Sequence, residues 1–123
     1  MRNYQLMRSI IKCVAKANKP LDFYDFHECG HDEDIQEELQ RLKQEGLIEH
    51  NMSWSYGTFN GGEVTAITEQ GRTFFRNIEN DKVWRLILKT LEEAELDLSY
   101  PLLNEVCEEV VKRYVMSKIP TEF

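Results

Sequence analysis

The chain has 123 residues, with apolar and charged fractions (41% and 30%) ordinary for a soluble globular protein and a net charge of −7 at pH 7. That length fits one domain with a helical appendage and buries a core without metals or disulfides. No stretch approaches the run of about 18 apolar residues that a membrane-spanning helix needs, so no membrane partner is expected. Residues 1–4 lead into a helix with basic residues spread along it, which is unlike a signal peptide. Cys13, Cys29 and Cys107 are an odd count without regular spacing, and fit reduced thiols in a cytoplasm.

The charge is segregated, which says more than its total. Residues 1–19 carry five bases and no acid; residues 20–50 carry ten acids against Arg41 and Lys43. Residues 51–91 are close to neutral, and residues 92–123 carry eight acids against three bases.

Residues 3–17 read as a first helix, with Leu6, Ile10, Ile11, Val14 and Ala17 as its apolar stripe. Arg8, Lys12 and Lys16 recur at i, i+4 and i+8 as a separate basic row, either a solvated face or a contact with phosphates or an acidic surface. Pro20 ends the helix. Residues 21–30, with Phe23, Tyr24 and Phe26, read as an extended segment or at most one helical turn. His27, Cys29 and His31 would point one way in such a segment, but their spacing matches no standard zinc pattern, so no metal is expected.

A second helix spans residues 32–45, with Ile35, Leu39 and Leu42 on one face and Gly46 as the left-handed terminator. Asp32, Glu33, Asp34, Glu37 and Glu38 crowd its N-terminal end, where the helix dipole favours negative charge. Residues 47–54 read as a strand, 55–62 as a glycine-punctuated loop with Tyr56 and Phe59, and Val64, Ala66 and Ile67 as the returning strand. Thr68 caps a third helix bearing Phe74, Phe75 and Ile78. Asn80 and Asp81 break it, and a fourth helix follows over residues 82–96. A last helix starts with Ser99 as cap and Pro101 in its first turn, runs to about Ser117 and presents a broad apolar face from Leu102 to Val115; residues 120–123 should fray.

The run Glu-Leu-Gln-Arg-Leu-Lys-Gln-Glu-Gly-Leu-Ile-Glu over residues 38–49 resembles the helix-to-strand junction of winged helix-turn-helix regulators, including MarR-like ones. The run from Ile67 to Trp84, with Thr68 and Gly71 opening its helix, is similar to a phage and prophage family of small proteins, a domain of unknown function. Where that family has an Ile-Arg-x-Asp-x-x-Trp type of junction, Asn77-Ile78-Glu79-Asn80-Asp81 replaces the arginine form here. The resemblance covers roughly residues 1–90. It implies a mainly α winged-helix fold with a small β-hairpin wing, placed over residues 1–80; the helical patterns beyond it read as a C-terminal extension over 81–123 that packs on that domain or dimerises. It also implies a phage setting in a bacterial host cytoplasm, and carries over no functional residue.

The residues exclude the common enzyme classes: there is no phosphate-binding glycine loop, nucleophile elbow or zinc-protease helix. Cys29 beside His27 and His31 is the best enzymatic option, and a weak one. No catalytic residue, cofactor or metal is therefore assigned. The expected role is protein binding, for example inhibition of a host defence or regulatory nucleic-acid-binding protein that offers a basic surface. Glu33, Gln36, Glu37, Gln40, Tyr56 and Phe59 are the expected contacts. A homodimer is expected, through the last helix with the first helix as a second candidate contact. The alternative is a transcriptional regulator on duplex DNA, with Arg8, Lys12 and Lys16 on phosphates, and the acidic second helix argues against it.

Overall fold

In the computed structural model, which describes residues 2–120, the chain is mainly helical with a small antiparallel β region. It forms two compact units. One is Asn3–Phe75; the other comprises Arg2 and the chain from Arg76 onward. The fraying expected over residues 120–123 lies, Pro120 apart, outside the described residues.

The Asn3–Phe75 unit opens with α1 (Tyr4–Lys16), whose Asn3 side chain accepts from the Leu6 N–H at 3.0 Å. Its stripe is wider than expected: Tyr4 and Met7 are buried with Leu6, Ile10, Ile11 and Val14, whereas Ala17 is exposed. The chain then departs from the extended reading of residues 21–30. Leu21 bridges Val64, through Leu21 N–H to Val64 carbonyl at 3.1 Å and the reverse bond at 2.7 Å, and the extended backbone ends at Asp22. Phe23–Cys29 winds into a 3-10 helix. The cause is a reciprocal cap: Asp22 accepts from the Asp25 N–H and Asp25 from the Asp22 N–H. At three residues per turn, Phe23, Phe26 and Cys29 share one side, and the two phenylalanines are buried. A period of three places aromatic residues inward as well as strand alternation would.

Helix α2 (Asp32–Gln44) packs against α1, the 3-10 segment and the first strand, with Ile35, Leu39 and Leu42 fully buried. It closes in a Schellman motif: Gly46, at φ +75°, donates to the Lys43 carbonyl, and Leu47 to that of Leu42. Strands β1 (Ile48–His50) and β4 (Val64–Ile67) pair antiparallel. The stretch read as one strand over 47–54 is interrupted after His50, and its end, as β2 (Ser53–Ser55), pairs antiparallel with β3 (Thr58–Gly61), which lies within the stretch read as a loop. Tyr56 and Gly57, both at positive φ, turn the chain between them. Pairing shifts register at Glu49/His50, so the hairpin has two tiers.

One interlock joins the end of α2 to the start of α3 (Glu69–Ile78). The Thr68 N–H donates to the Leu47 carbonyl at 3.1 Å. The Thr68 hydroxyl donates to the Gly46 carbonyl at 2.7 Å, also approaches Leu47 O at 3.1 Å, and accepts from the Gly71 N–H at 2.9 Å. Gly71 is buried against the Leu47 carbonyl, where a Cβ would collide with that oxygen and with Ile67.

In the second unit, α4 (Asp81–Ala94) is capped by the Asn80 side chain, which accepts from Lys82 and Val83. Val83, Trp84, Ile87 and Leu91 are its buried stripe, and it packs on α5 (Leu102–Ser117). The N-cap of α5 is Pro101, two residues later than Ser99, and the Ser99 carbonyl accepts from Leu103. Arg2 is buried here, its guanidinium donating to the Leu98 carbonyl at 3.2 Å.

Gly71→Ala is expected to lower stability by about 1–3 kcal/mol, the usual cost of overpacking. Thr68→Val, which strips the Gly71 N–H of its acceptor, should cost about 1–2 kcal/mol. Urea midpoints of the two variants against wild type measure both.

Candidate functional site

Glu33, Gln36, Glu37 and Gln40 follow one another at helical spacing along α2, and all but the half-buried Gln36 are exposed. Ile35, Glu38, Leu39 and Leu42 are the residues that α2 buries. Glu38 therefore leaves the set of solvent-facing carboxylates to which its sequence position assigned it: it is only 5% exposed. Asp32, Glu33, Asp34 and Glu37 remain on the surface around the first turns. Asp32 lies 3.9 Å from His27 Nδ1.

The hairpin splits its two expected contacts. Tyr56 sits in the β2–β3 turn with its ring fully in solvent. Phe59 is half-buried and belongs to an aromatic cluster instead, with ring centroids 5.2 Å from Phe23, 5.6 Å from Trp54 and 5.8 Å from Tyr24. The cluster fastens the outer tier of the hairpin to the 3-10 segment. Tyr24, 67% exposed at its edge, is a surface aromatic that sequence reading missed. The missed signal was its place in a period of three, off the Phe23/Phe26 side. The indole N–H of Trp54 is buried with no acceptor among the described residues.

On α1, Lys12 and Lys16 are exposed and Arg8 is half-buried, so the basic row lies beside the buried stripe as its spacing implied. A cleft of about 350 Å³ opens between the end of α1 and β4, with Pro20, Leu21, Ala66 and Arg72 among its walls. In the second unit a groove of about 600 Å³ runs between α4 and α5, floored by Leu86, Val106, Val110 and Tyr114. Lys89 and Glu93 pair on α4, and Glu109 and Arg113 on α5.

The histidines and cysteines do not gather at one point. Among the described residues, no three His, Cys, Asp or Glu side chains are grouped to hold a metal. The 3-10 winding turns His27 away from the side that Cys29 shares with Phe23 and Phe26. The partner of Cys29 is Cys13, with their sulfurs 3.9 Å apart and both residues half-buried. The thiol of Cys29 hydrogen-bonds to Cys13, so Cys13 is pushed down from 9.0 to about 7, with Lys12 assisting and burial and Glu28 opposing. Acting as donor, and partly buried, Cys29 is pushed up. Burial pushes Cys107 up to about 12.

His50 is a structural residue. Its Nδ1 accepts from the Met52 N–H at 3.2 Å, so its Nε2–H donates to the Leu39 carbonyl at 3.1 Å. Burial pulls its pKa below the ordinary 6.5, against the Leu39 bond. The unfolded chain therefore takes up this proton first. Stability should be level above the unfolded value of about 6.5 and fall as pH drops through it. Urea midpoints against pH, compared with His50→Gln, test this: the component of the slope near pH 6 should vanish in the variant.

Comparison with known proteins adds a family. An uncharacterized protein of Haemophilus influenzae is 27% identical over 120 residues, covering 91% of this chain and 96% of the relative. No solved structure matches. The family model of a set of hypothetical proteins, DUF2513, matches residues 1–97, which span the whole Asn3–Phe75 unit and α4. The chain belongs to the DUF2513 family.

Proposed function

We propose that the Asn3–Phe75 unit is a winged helix-turn-helix module of phage type that binds a protein with a basic surface, such as a host defence or regulatory nucleic-acid-binding protein. The order α1, 3-10 segment, α2 and two-tier hairpin supports the winged-helix reading, with the 3-10 segment as the short supporting helix and β2–β3 as the wing.

One observation carries the choice of partner: the exposed carboxylates of Glu33, Asp34 and Glu37 at the start of α2. In DNA-binding helix-turn-helix proteins this end of the second helix meets base edges between phosphate rows. Carboxylates there repel phosphates, and residues 48–67 contribute no Lys or Arg to offset them. The same charges attract a basic protein face, with steering that weakens as salt rises. Tyr56 supplies an apolar anchor, as aromatic residues do at protein interfaces.

The test uses the full chain as bait in host-cell lysate, with crosslinking at low and high salt. Glu33→Gln/Asp34→Asn/Glu37→Gln should lose the partner; Arg8→Gln/Lys12→Gln/Lys16→Gln should keep it. Selection from a random duplex pool runs alongside. Enrichment of one sequence that the second variant abolishes would establish a DNA-binding regulator instead.

The proposal includes a homodimer through α5. Leu102, Val115 and Met116 are exposed there, and the groove between α4 and α5 presents Leu86, Val106, Val110 and Tyr114. Light scattering should give twice the chain mass, and Val115→Asp/Met116→Asp should halve it.

A further inference from the structure

Cys13 and Cys29 are sixteen residues apart in sequence and meet at a Sγ–Sγ distance of 3.9 Å. Two elements aim them at each other. Cys29 ends the Phe23–Phe26–Cys29 side of the 3-10 helix, and that helix packs on α1. Cys13 lies at the edge of the buried stripe of α1, next to Val14. Both residues keep part of their surface in solvent, whereas Cys107 is fully buried in the other unit.

We propose that Cys13 and Cys29 are a redox-active thiol pair, which a hydroperoxide converts into an intrachain disulfide fastening α1 to the 3-10 segment. A disulfide bond is about 2.05 Å long, so the sulfurs must close by about 1.9 Å from their present 3.9 Å. The two cysteines divide the chemistry. Cys13 is the nucleophile, its thiolate held by the Cys29 S–H and by Lys12. It attacks the terminal peroxide oxygen: an S–O bond forms, the O–O bond breaks, and the leaving oxygen takes up a proton. The sulfur becomes a sulfenic acid, oxidised by two electrons as the peroxide is reduced to water or an alcohol. Cys29 then gives up its proton and attacks that sulfur. The S–S bond forms, the S–O bond breaks, and hydroxide leaves with the proton as water. In a reducing compartment the pair rests as dithiol, and thiol exchange restores it after oxidation.

The bond would close a loop from Cys13 to Cys29 that holds Pro20, the Leu21–Val64 bridge and the buried Phe23 and Phe26. It would also fix the residue two before His31, the N-cap of the acidic helix α2.

The experiment adds hydrogen peroxide to the reduced full chain and follows intact mass, thiol count after denaturation, and peptide maps. The expected result is loss of the mass of two hydrogens, loss of two of three thiols, and a Cys13–Cys29 linked peptide that dithiothreitol reverses. Cys29→Ser should accumulate a sulfenic acid at Cys13, trapped by dimedone, and Cys13→Ser should consume peroxide at least tenfold more slowly. In denaturant the preference for the 13–29 pairing over those with Cys107 should disappear. No mass loss, a crosslink that includes Cys107, bonds only between chains, or equal rates in Cys13→Ser and wild type would each overturn the proposal.

Discussion

The Asn3–Phe75 unit depends on one small hydrogen-bonded crossing, where the turn after α2 meets the turn before α3. Thr68 gives a backbone N–H and a hydroxyl to the carbonyls of Gly46 and Leu47, and its hydroxyl oxygen receives the Gly71 N–H in the first turn of the next helix. The crossing is tight enough that only glycine fits at position 71. It fixes where β1 leaves and where β4 returns. The spacing between those strands then decides what the intervening hairpin carries. A segment with few helical residues is thereby held at both ends by the backbone, not by side-chain packing alone.

Much of this was legible in the sequence because its signals are local. Gly46 after a helical stripe, Thr68 three residues before Gly71, and Asn80 ahead of Val83 and Trp84 each describe one terminus and its nearest partners. The misreadings occurred where periods compete. In the 3-10 segment, aromatic residues at 23, 24 and 26 satisfy a strand pattern nearly as well as a three-residue turn, and the Asp22–Asp25 cap decides between them. In the hairpin, glycines at 57, 61 and 62 look like a single flexible loop, yet Thr58–Gly61 pairs with Ser53–Ser55. Glu38 was assigned to solvent by its charge, whereas its neighbours Ile35, Leu39 and Leu42 place it on the inner side. Long-range pairings left no sequence trace: Cys13 with Cys29, or Phe59 with Phe23, become visible only when the elements are in place.

The surface of this unit combines features that rarely serve one purpose. A helix rich in exposed carboxylates, a hairpin without a single cation and a solvent-facing tyrosine at its turn offer little to a phosphate backbone. The aromatic cluster makes the outer hairpin tier rigid at its base while leaving Tyr56 beyond it. A ring held beyond a packed base would lose little freedom on being covered by the proposed protein partner. The basic row on α1 belongs to a different helix from the exposed carboxylates at the start of α2, so substitutions in one set leave the other intact.

The two tryptophans fall one in each unit, Trp54 on β2 and Trp84 on α4. Trp54 has its ring against Phe23, Phe59 and His50 and its N–H without an acceptor among the described residues, a setting that indole fluorescence reports as blue-shifted emission. Each tryptophan is therefore a native optical label for its own half of the chain. Replacing either by phenylalanine leaves a single-coloured reporter, so the melting of one unit can be watched independently of the other without attaching any dye.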